Sequence, residues 1–120
     1  MSNKRRVRKH AREAERALLF AALGDETRLA LIAGLSAGHV RSISQLTDAA
    51  QSKSPGMTRQ AVTKHLRVLE RAGLVRCERQ GRESRFALNP QPFKEINSYL
   101  ESVSKQWDEA LGRLKMLVEK

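Results

Sequence analysis

Between residues 59 and 71 the chain carries a set of long polar side chains that suit contact with a polyanion. At about 100° of rotation per helical residue, these side chains fall within roughly 140° of one another. Val62, Leu66 and Leu69 lie on the opposite side of the same helix. One face can therefore pack on a core while the other stays basic. With the N-cap residue, the predicted contact residues are Thr58, Arg59, Gln60, Thr63, Lys64, Arg67 and Arg71.

The chemistry open to this set is the recognition of base edges and phosphates in duplex DNA. Arginine can pair through two hydrogen bonds with guanine and glutamine with adenine, and a threonine methyl can contact the thymine methyl. Arg59, Gln60 and Thr63 offer these groups, whereas Arg67 and Arg71 lie further along the helix and suit phosphates. An ordinary amphipathic surface helix would show the same periodicity, so the neighbouring elements must decide between the two interpretations.

A short helix and a turn precede the basic helix, as in helix-turn-helix units. Ser42 and Gln45 have the spacing of a capping box and start a third helix, predicted over residues 44–50. A turn signal lies in the following connection, residues 51–57, before Thr58 caps the basic helix. Earlier in the chain, helices are predicted over residues 11–23 and from the Asp25 cap to about residue 35.

A basic hairpin follows the basic helix. Strands are predicted over residues 74–79 and 84–88, joined by a tight connection that contains Gly81. Arg79, Arg82 and Arg85 cluster around that connection, where they could reach a minor groove or a phosphate backbone. They could instead protect a sheet edge from unwanted pairing. The basic helix beside them favours the contact with DNA.

The whole net charge of +10 comes from two segments of the 120-residue chain. Residues 1–16 carry seven basic and two acidic side chains, and residues 59–85 carry eight basic and three acidic ones. Residues 1–10 are predicted to be a flexible basic arm ahead of one folded domain of residues 11–120. A frayed tail beside a solvated helix face would be the alternative. The weaker predicted phosphate contacts of the arm and the turn are Arg5, Arg6, Arg8 and Lys53.

The composition argues against several other classes of protein. A single cysteine excludes an internal disulfide framework and a cysteine-cluster zinc site. The apolar run of residues 17–23 is too short to span a membrane, and Glu13 and Glu15 interrupt the basic stretch that a signal peptide would need, so a cytoplasmic protein is expected. No phosphate-binding glycine loop or nucleophile elbow is present, and neither an enzyme nor a cofactor is expected.

Pro90 and Pro92 precede a long helix, predicted over residues 92–118. Its apolar side chains recur every three or four residues, a spacing that suits helix-against-helix packing. One small domain can cover only part of a helix of roughly 40 Å. The rest is expected to pack on the first helix and on a twofold-related copy, with packing inside one chain as the alternative. The predicted dimer contacts are Leu18, Leu19, Ile96, Leu100, Val103, Trp107, Leu111 and Leu114.

Residues 21–88 resemble the ArsR-type family of winged helix-turn-helix transcriptional regulators. The matching pieces are residues 22–29 (ALGDETRL), 58–69 (TRQAVTKHLRVL), 72–75 (AGLV), 81–83 (GRE) and 86–90 (FALNP). The resemblance implies a mainly α fold with a small β-hairpin, in which residues 59–72 form the recognition helix, residues 74–88 the wing and residues 92–118 the C-terminal dimerisation helix. It also implies a homodimer that binds a palindromic operator in double-stranded DNA and usually represses transcription.

Two other functions stay open beside this interpretation. A nonspecific or architectural nucleic-acid-binding protein would also carry a charge of +10, and would bind any duplex with an affinity set by salt. The second open function is a winged-helix protein that binds an acidic protein through its basic face. That partner would not need the mixed base-reading set of Arg59, Gln60, Thr63 and Lys64.

The chain departs from the family pattern in two places. Many members sense metals through cysteines in the third helix or through Asp, His and Glu residues in the last helix. Here both predicted helices lack Cys and His, so no metal is expected, and any small-molecule effector is unknown. The connection of residues 51–57 is also longer than the usual turn, which affects the tilt of the recognition helix.

Two single residues allow more than one role. His65 lies between the polar and apolar faces of the basic helix, and is predicted to be packed and hydrogen-bonded rather than a base reader. Cys77 alternates with Val75 in the first hairpin strand and is predicted to be a small buried hydrophobe, with a redox thiol as the alternative.

Overall fold

The computed structural model describes residues 2–119 of the chain. The elements follow one another as α1 (Ser2–Leu23), α2 (Glu26–Leu35), β1 (Arg41–Ser42), α3 (Ile43–Lys53), α4 (Arg59–Arg71), β2 (Val75–Gln80), β3 (Glu83–Leu88) and α5 (Pro90–Val118). They divide into one compact unit that ends at Pro90 and a second, from Gln91 onward, that contains all of α5 except its first residue. The predicted mainly helical fold with a small hairpin is confirmed.

The sheet has three antiparallel strands in the order β1-β3-β2. β2 pairs with β3 from Val75↔Leu88 to Gln80↔Glu83, which confirms the predicted hairpin. Gly81, the first of the two turn residues, has a φ of +64°, and Arg82 keeps a negative φ. That combination belongs to a type II′ turn, whose twist matches the flanking strands and whose first position favours glycine.

The core of the first unit lies between α2, α3, α4 and the sheet. Phe86, in the central strand β3, is fully buried. Each large apolar side chain that is buried in this way contributes about 1.5–3 kcal/mol of transfer free energy. The predicted inner face of α4 is confirmed. Other large side chains of the described residues that are fully buried are Leu35, Leu46, Val62, Leu66, Leu69 and Leu74.

Three helices begin at the predicted capping residues. The Asp25 carboxylate accepts the backbone N–H three residues later at 3.0 Å, and the Thr58 hydroxyl does the same for α4 at 3.0 Å. Ser42 and Gln45 form the predicted capping box, because each side chain accepts the backbone N–H of the other residue. Each bond satisfies an N–H that the first helical turn would leave without a partner.

Two helix boundaries differ from the predicted ones by three residues or more. α1 begins at Ser2 rather than near residue 11, so the described part of the predicted arm, residues 2–10, is helical, with exposed side chains from residue 3 onward. Arginine and lysine have good helix propensity, and no glycine or proline interrupts them. α3 runs to Lys53 rather than to residue 50, which shortens the connection before α4 to residues 54–58.

β1 was not predicted, since a two-residue strand carries no alternation of its own and forms only by pairing with β3. The long last helix is confirmed but starts at Pro90, two residues earlier than expected. Met1 of the predicted arm and Lys120 of the predicted domain lie outside the described residues. Within residues 2–119, no helix has the length and apolar character to cross a membrane.

Candidate nucleic-acid interface

The first turns of α4 bring the predicted base-reading residues to one place. Arg59, Gln60 and Lys64 are exposed, and Thr63 is half-buried. The four side chains line one shallow, open depression on the surface. The buried face of the helix, described above, fixes α4 on the core and directs this set outward. The site therefore presents donors and acceptors of the kind that pair with base edges.

The polar side chains at this end of α4 differ in how firmly they are held. Nη1 of Arg59 donates a hydrogen bond to Oγ of Ser44 in α3 at 3.2 Å. The Thr63 hydroxyl donates to the Arg59 carbonyl oxygen of its own helix at 2.8 Å. Within residues 2–119, the side chains of Gln60 and Lys64 make no hydrogen bond or ion pair. Their polar groups are therefore available to a ligand.

Ser44 is a site residue that sequence reasoning missed. It lies in the first turn of α3 and is exposed. Its bond to Arg59 spans 15 positions of the chain. The only signal in the sequence is a serine near the start of the helix before α4, and serine is common at such positions.

The two arginines further along α4 are tied to their own helix. Nη1 of Arg67 donates to Oε1 of Glu70 at 2.8 Å, and Nε of Arg71 donates to the Arg67 carbonyl oxygen at 3.4 Å. The hydrogen bond and charge of Glu70, with a smaller effect of Cys77, raise the pKa of Arg67 above its ordinary value. Because an exposed ion pair of this kind is weak, a phosphate can compete with Glu70 for Arg67.

The hairpin arginines do not share one face. Cross-strand partners lie on the same side of a sheet, and the register pairs Arg79 with Ser84 and Glu78 with Arg85. Since side chains alternate along a strand, Arg79 is on the face of the buried Phe86, while Arg85 is on the opposite face. Arg85 also pairs with Glu83, at 3.2 Å between Nη2 and Oε2. Arg79 and Arg82 are exposed and Arg85 is half-buried, so the three surround the tip.

The weaker predicted contacts are all exposed. Arg5, Arg6 and Arg8 project from the first half of α1, and Lys53 lies in the last turn of α3. The basic side chains of α1 are carried by a continuous helix. Their mutual spacing is therefore fixed by helical geometry.

His65 is packed and hydrogen-bonded, as predicted. Its Nδ1 lies 3.3 Å from Nη1 of Arg28 and 3.8 Å from Oδ2 of Asp25. Cys77 is half-buried. In the described residues, no three side chains of His, Cys, Asp or Glu are grouped closely enough to hold a metal ion.

Comparison with known proteins decides the family. Residues 23–78 match the helix-turn-helix domain family. The helix-turn-helix-type transcriptional regulator YuzN of Bacillus subtilis is 39% identical over 79 residues, which cover 65% of this chain and 86% of that protein. An ArsR-like transcriptional regulator from Rhodococcus sp. RHA1 is 32% identical, with a TM-score of 0.67 over 89% of this chain and 95% of the other.

The chain belongs to the ArsR family of winged helix-turn-helix transcriptional regulators.

In the order of that fold, α3 and α4 form the helix-turn-helix unit and the β2–β3 hairpin is the wing. The chain is thus a transcriptional regulator with a DNA-binding domain. A homodimeric winged helix-turn-helix domain from Mycobacterium bovis, 21% identical, shares the fold with a TM-score of 0.64 over 82% of this chain and 86% of its own length.

The predicted dimer residues differ in exposure. Trp107 and Leu18 are 68% and 65% exposed, whereas Leu19 and Ile96 are 8% and 7% exposed and so already buried in the single chain. Val103 is half-buried. Leu100, Leu111 and Leu114 are exposed, and the apolar surface of α5 continues through the exposed Leu117 and Val118.

Proposed function

We propose that this ArsR-family protein is a homodimeric repressor that binds a palindromic operator. In this proposal α4 enters the major groove, and the wing contacts the adjacent minor groove or the backbone. The observation that carries it is the convergence of Arg59, Gln60, Thr63 and Lys64 around one open depression at the start of α4. The N-terminal residues of a recognition helix are the ones that contact base edges in helix-turn-helix complexes.

The arrangement along α4 supports a division of labour. Gln60 and Lys64 are available for base contact, and Arg59 is oriented by Ser44. Arg67 and Arg71, at the other end of the helix, fit the flanking phosphates. Contacts to bases carry sequence information, while contacts to phosphates set register and orientation. A nonspecific nucleic-acid-binding protein needs only the contacts to phosphates.

The apolar surface of α5 supports the homodimer. A tryptophan and several leucines at helical spacing remain exposed in the single chain, and large apolar patches of this kind mark interaction surfaces. We assign the surface to a second copy, because a twofold dimer presents two copies of α4 to the two halves of a palindrome. The Mycobacterium bovis domain with this fold is itself homodimeric. A dimer bound across a promoter blocks polymerase, which is the usual action of the family.

The proposal is tested by a binding titration at two salt concentrations. The probes are the DNA upstream of the protein's own gene and a shuffled duplex of equal length. A preference of about a thousandfold or more for the upstream DNA is expected for a specific regulator. Equal and steeply salt-dependent binding to both would require a genome-wide footprint, and a footprint without discrete sites would favour the nonspecific alternative.

Neutralising the basic half of α1 is expected to weaken binding to every duplex equally. A triple substitution of Arg5, Arg6 and Arg8 by glutamine keeps the helix propensity and removes three charges. The slope of log K against log salt should become shallower by about 0.9 for each phosphate that these arginines neutralise in the unsubstituted protein.

The matched control replaces Lys94, Lys105 and Arg113 of α5 by glutamine, which removes the same charge from the proposed dimer helix. If both triple variants change the slope equally, the effect is one of net charge, and α1 makes no contact of its own with DNA.

A further inference from the structure

One guanidinium group joins three helices beside the proposed DNA-binding surface. From the first turn of α2, Nε of Arg28 donates to the Ala22 carbonyl oxygen at 2.6 Å, and Nη2 donates to that of Ala21 at 3.4 Å. Both carbonyls belong to the last turn of α1. Nη1 of the same side chain lies 3.3 Å from Nδ1 of His65 in α4. Arg28 therefore contacts the end of α1 and the middle of α4 at once.

The chemistry of the pair fixes the direction of the hydrogen bond. A guanidinium has only donors, so Nδ1 of His65 is the acceptor in this hydrogen bond, which requires the tautomer whose ring proton is on Nε2. Oδ2 of Asp25 lies 3.8 Å from the same Nδ1. This carboxylate also accepts the backbone N–H of Arg28, and that bond holds the pKa of Asp25 below its ordinary value of 3.8. Asp25 is thus ionised at neutral pH, and its negative charge also attracts the guanidinium of Arg28.

The position of this group on α4 suggests what it does. His65 lies two positions after Thr63 and one after Lys64, at the boundary between the basic and the buried face of α4. Apolar packing holds the buried face but has no preferred direction. A hydrogen bond depends on distance and angle, so the contact with Arg28 opposes sliding and rotation of α4 on the core. Paired hydrogen bonds to a base require that same precision from the helix.

We infer that Arg28 and His65 are positioning residues for base recognition: their hydrogen bond sets the orientation of α4 on the corner between α1 and α2 without touching DNA. The inference rests on the proposed role of α4 as the base-reading helix. Because Arg28 is also bonded to the last turn of α1, that turn helps to set the orientation of the base-reading residues.

The test compares two substitutions of His65 in the full-length protein. His65→Leu removes the acceptor, and His65→Asn keeps an amide oxygen near the place of Nδ1. His65→Leu is expected to lower affinity for the operator about tenfold, the loss of roughly one hydrogen bond to a charged group, with binding to a shuffled duplex unchanged. His65→Asn should restore most of the preference. His39→Leu, in an exposed loop, is the matched control and should change neither affinity.

Measuring both the Tm and the ratio of operator to shuffled affinity distinguishes a role of His65 in positioning α4 from a role in stability alone. A lower Tm with an unchanged ratio of operator to shuffled affinity would overturn the inference, as would a preference that His65→Asn fails to restore. If His65→Leu does not fold, His65→Asn and Arg28→Lys carry the same comparison, with Arg28→Lys expected to lower the ratio because an ammonium lacks the guanidinium fork.

A nitrogen NMR measurement of the His65 ring tests the positioning role independently of the proposed function. The ring of the unsubstituted protein should carry its proton on Nε2, and His65→Leu should shift the amide resonances of residues 59–64. Should the protein prefer no operator at all, the proposed function fails. The positioning role is then decided by NMR alone: a ring protonated on Nδ1, or unchanged α4 resonances, overturns it.

Discussion

Replacing Trp107 by alanine is expected to convert the protein to a monomer and to lower its affinity for a two-half-site operator by about 100- to 10,000-fold. Trp107 is 68% exposed in the single chain and lies in the middle of the apolar stripe of α5. Large aromatic side chains near the centre of an interface carry much of its binding energy. Once the two copies separate, each recognition helix must bind its half-site alone. Sedimentation equilibrium and a titration of the operator measure the two effects together.

The affinity for an isolated half-site separates loss of the dimer from loss of the fold. It should be nearly the same for Trp107→Ala and the unsubstituted protein, because the first compact unit is intact in both. Gln106→Ala, at the neighbouring exposed position, should leave the dimer unchanged. A Trp107→Ala variant that is still dimeric at low concentration would place the dimer surface elsewhere.

Replacing Gln60 by alanine is expected to weaken operator binding by about 1–3 kcal/mol, or about 5- to 150-fold, and to relax the preference at one base pair. Gln60 is exposed and its amide has no partner in the described chain, so the substitution removes little except the contact with DNA. Arg59→Ala should have an effect of the same size at a different base pair. Titration of operators with single-base changes measures both the loss and its position.

Gln91→Ala, which removes an exposed glutamine outside α4, is the matched control and should leave all affinities unchanged. A Gln60→Ala variant that binds every operator variant more weakly by the same factor would mean that Gln60 contacts the backbone and reads no base.

The parts of the fold that the sequence predicts are those decided within a few residues. Asp25, Ser42 and Thr58 start their helices through a side chain that bonds to the backbone three positions away, and this rule is local. The buried face of α4 follows from helical periodicity alone. β1 could not be found in this way, because its two residues become a strand only when β3 lies beside them.

The boundary errors have equally specific causes. The basic character of residues 2–10 is typical of a flexible arm, but lysine and arginine also favour a helix. At the end of α3, the polar residues 51–53 are typical of a turn, although nothing in them stops a helix before Ser54 and Pro55. The start of α4, by contrast, is marked by a cap, and the prediction there is confirmed.

The candidate site also has a part that the sequence predicts and a part that it does not. The side chains that share a face of α4 could be identified from the sequence, since their grouping depends on one helix. The contacts of Arg59 with Ser44 and of Arg28 with His65 join residues 15 and 37 positions apart, and only the packing of helices brings them together. The grouping of the wing arginines was predicted from proximity in the chain, and the strand register places Arg79 and Arg85 on opposite faces.

The unbroken course of α1 has a mechanical consequence. A helix of this length is a stiff rod of about 33 Å, and its basic half cannot search for phosphates independently of the end that Arg28 holds. Where a flexible tail could follow any duplex, a rod can meet only the phosphates that lie within reach of its fixed direction. If bending of the DNA brings them there, the cost of that bend becomes part of the affinity. The energy of bending differs between base sequences, so affinity would then depend on base pairs that no side chain touches. Such an operator would be selected by its stiffness as well as by its bases.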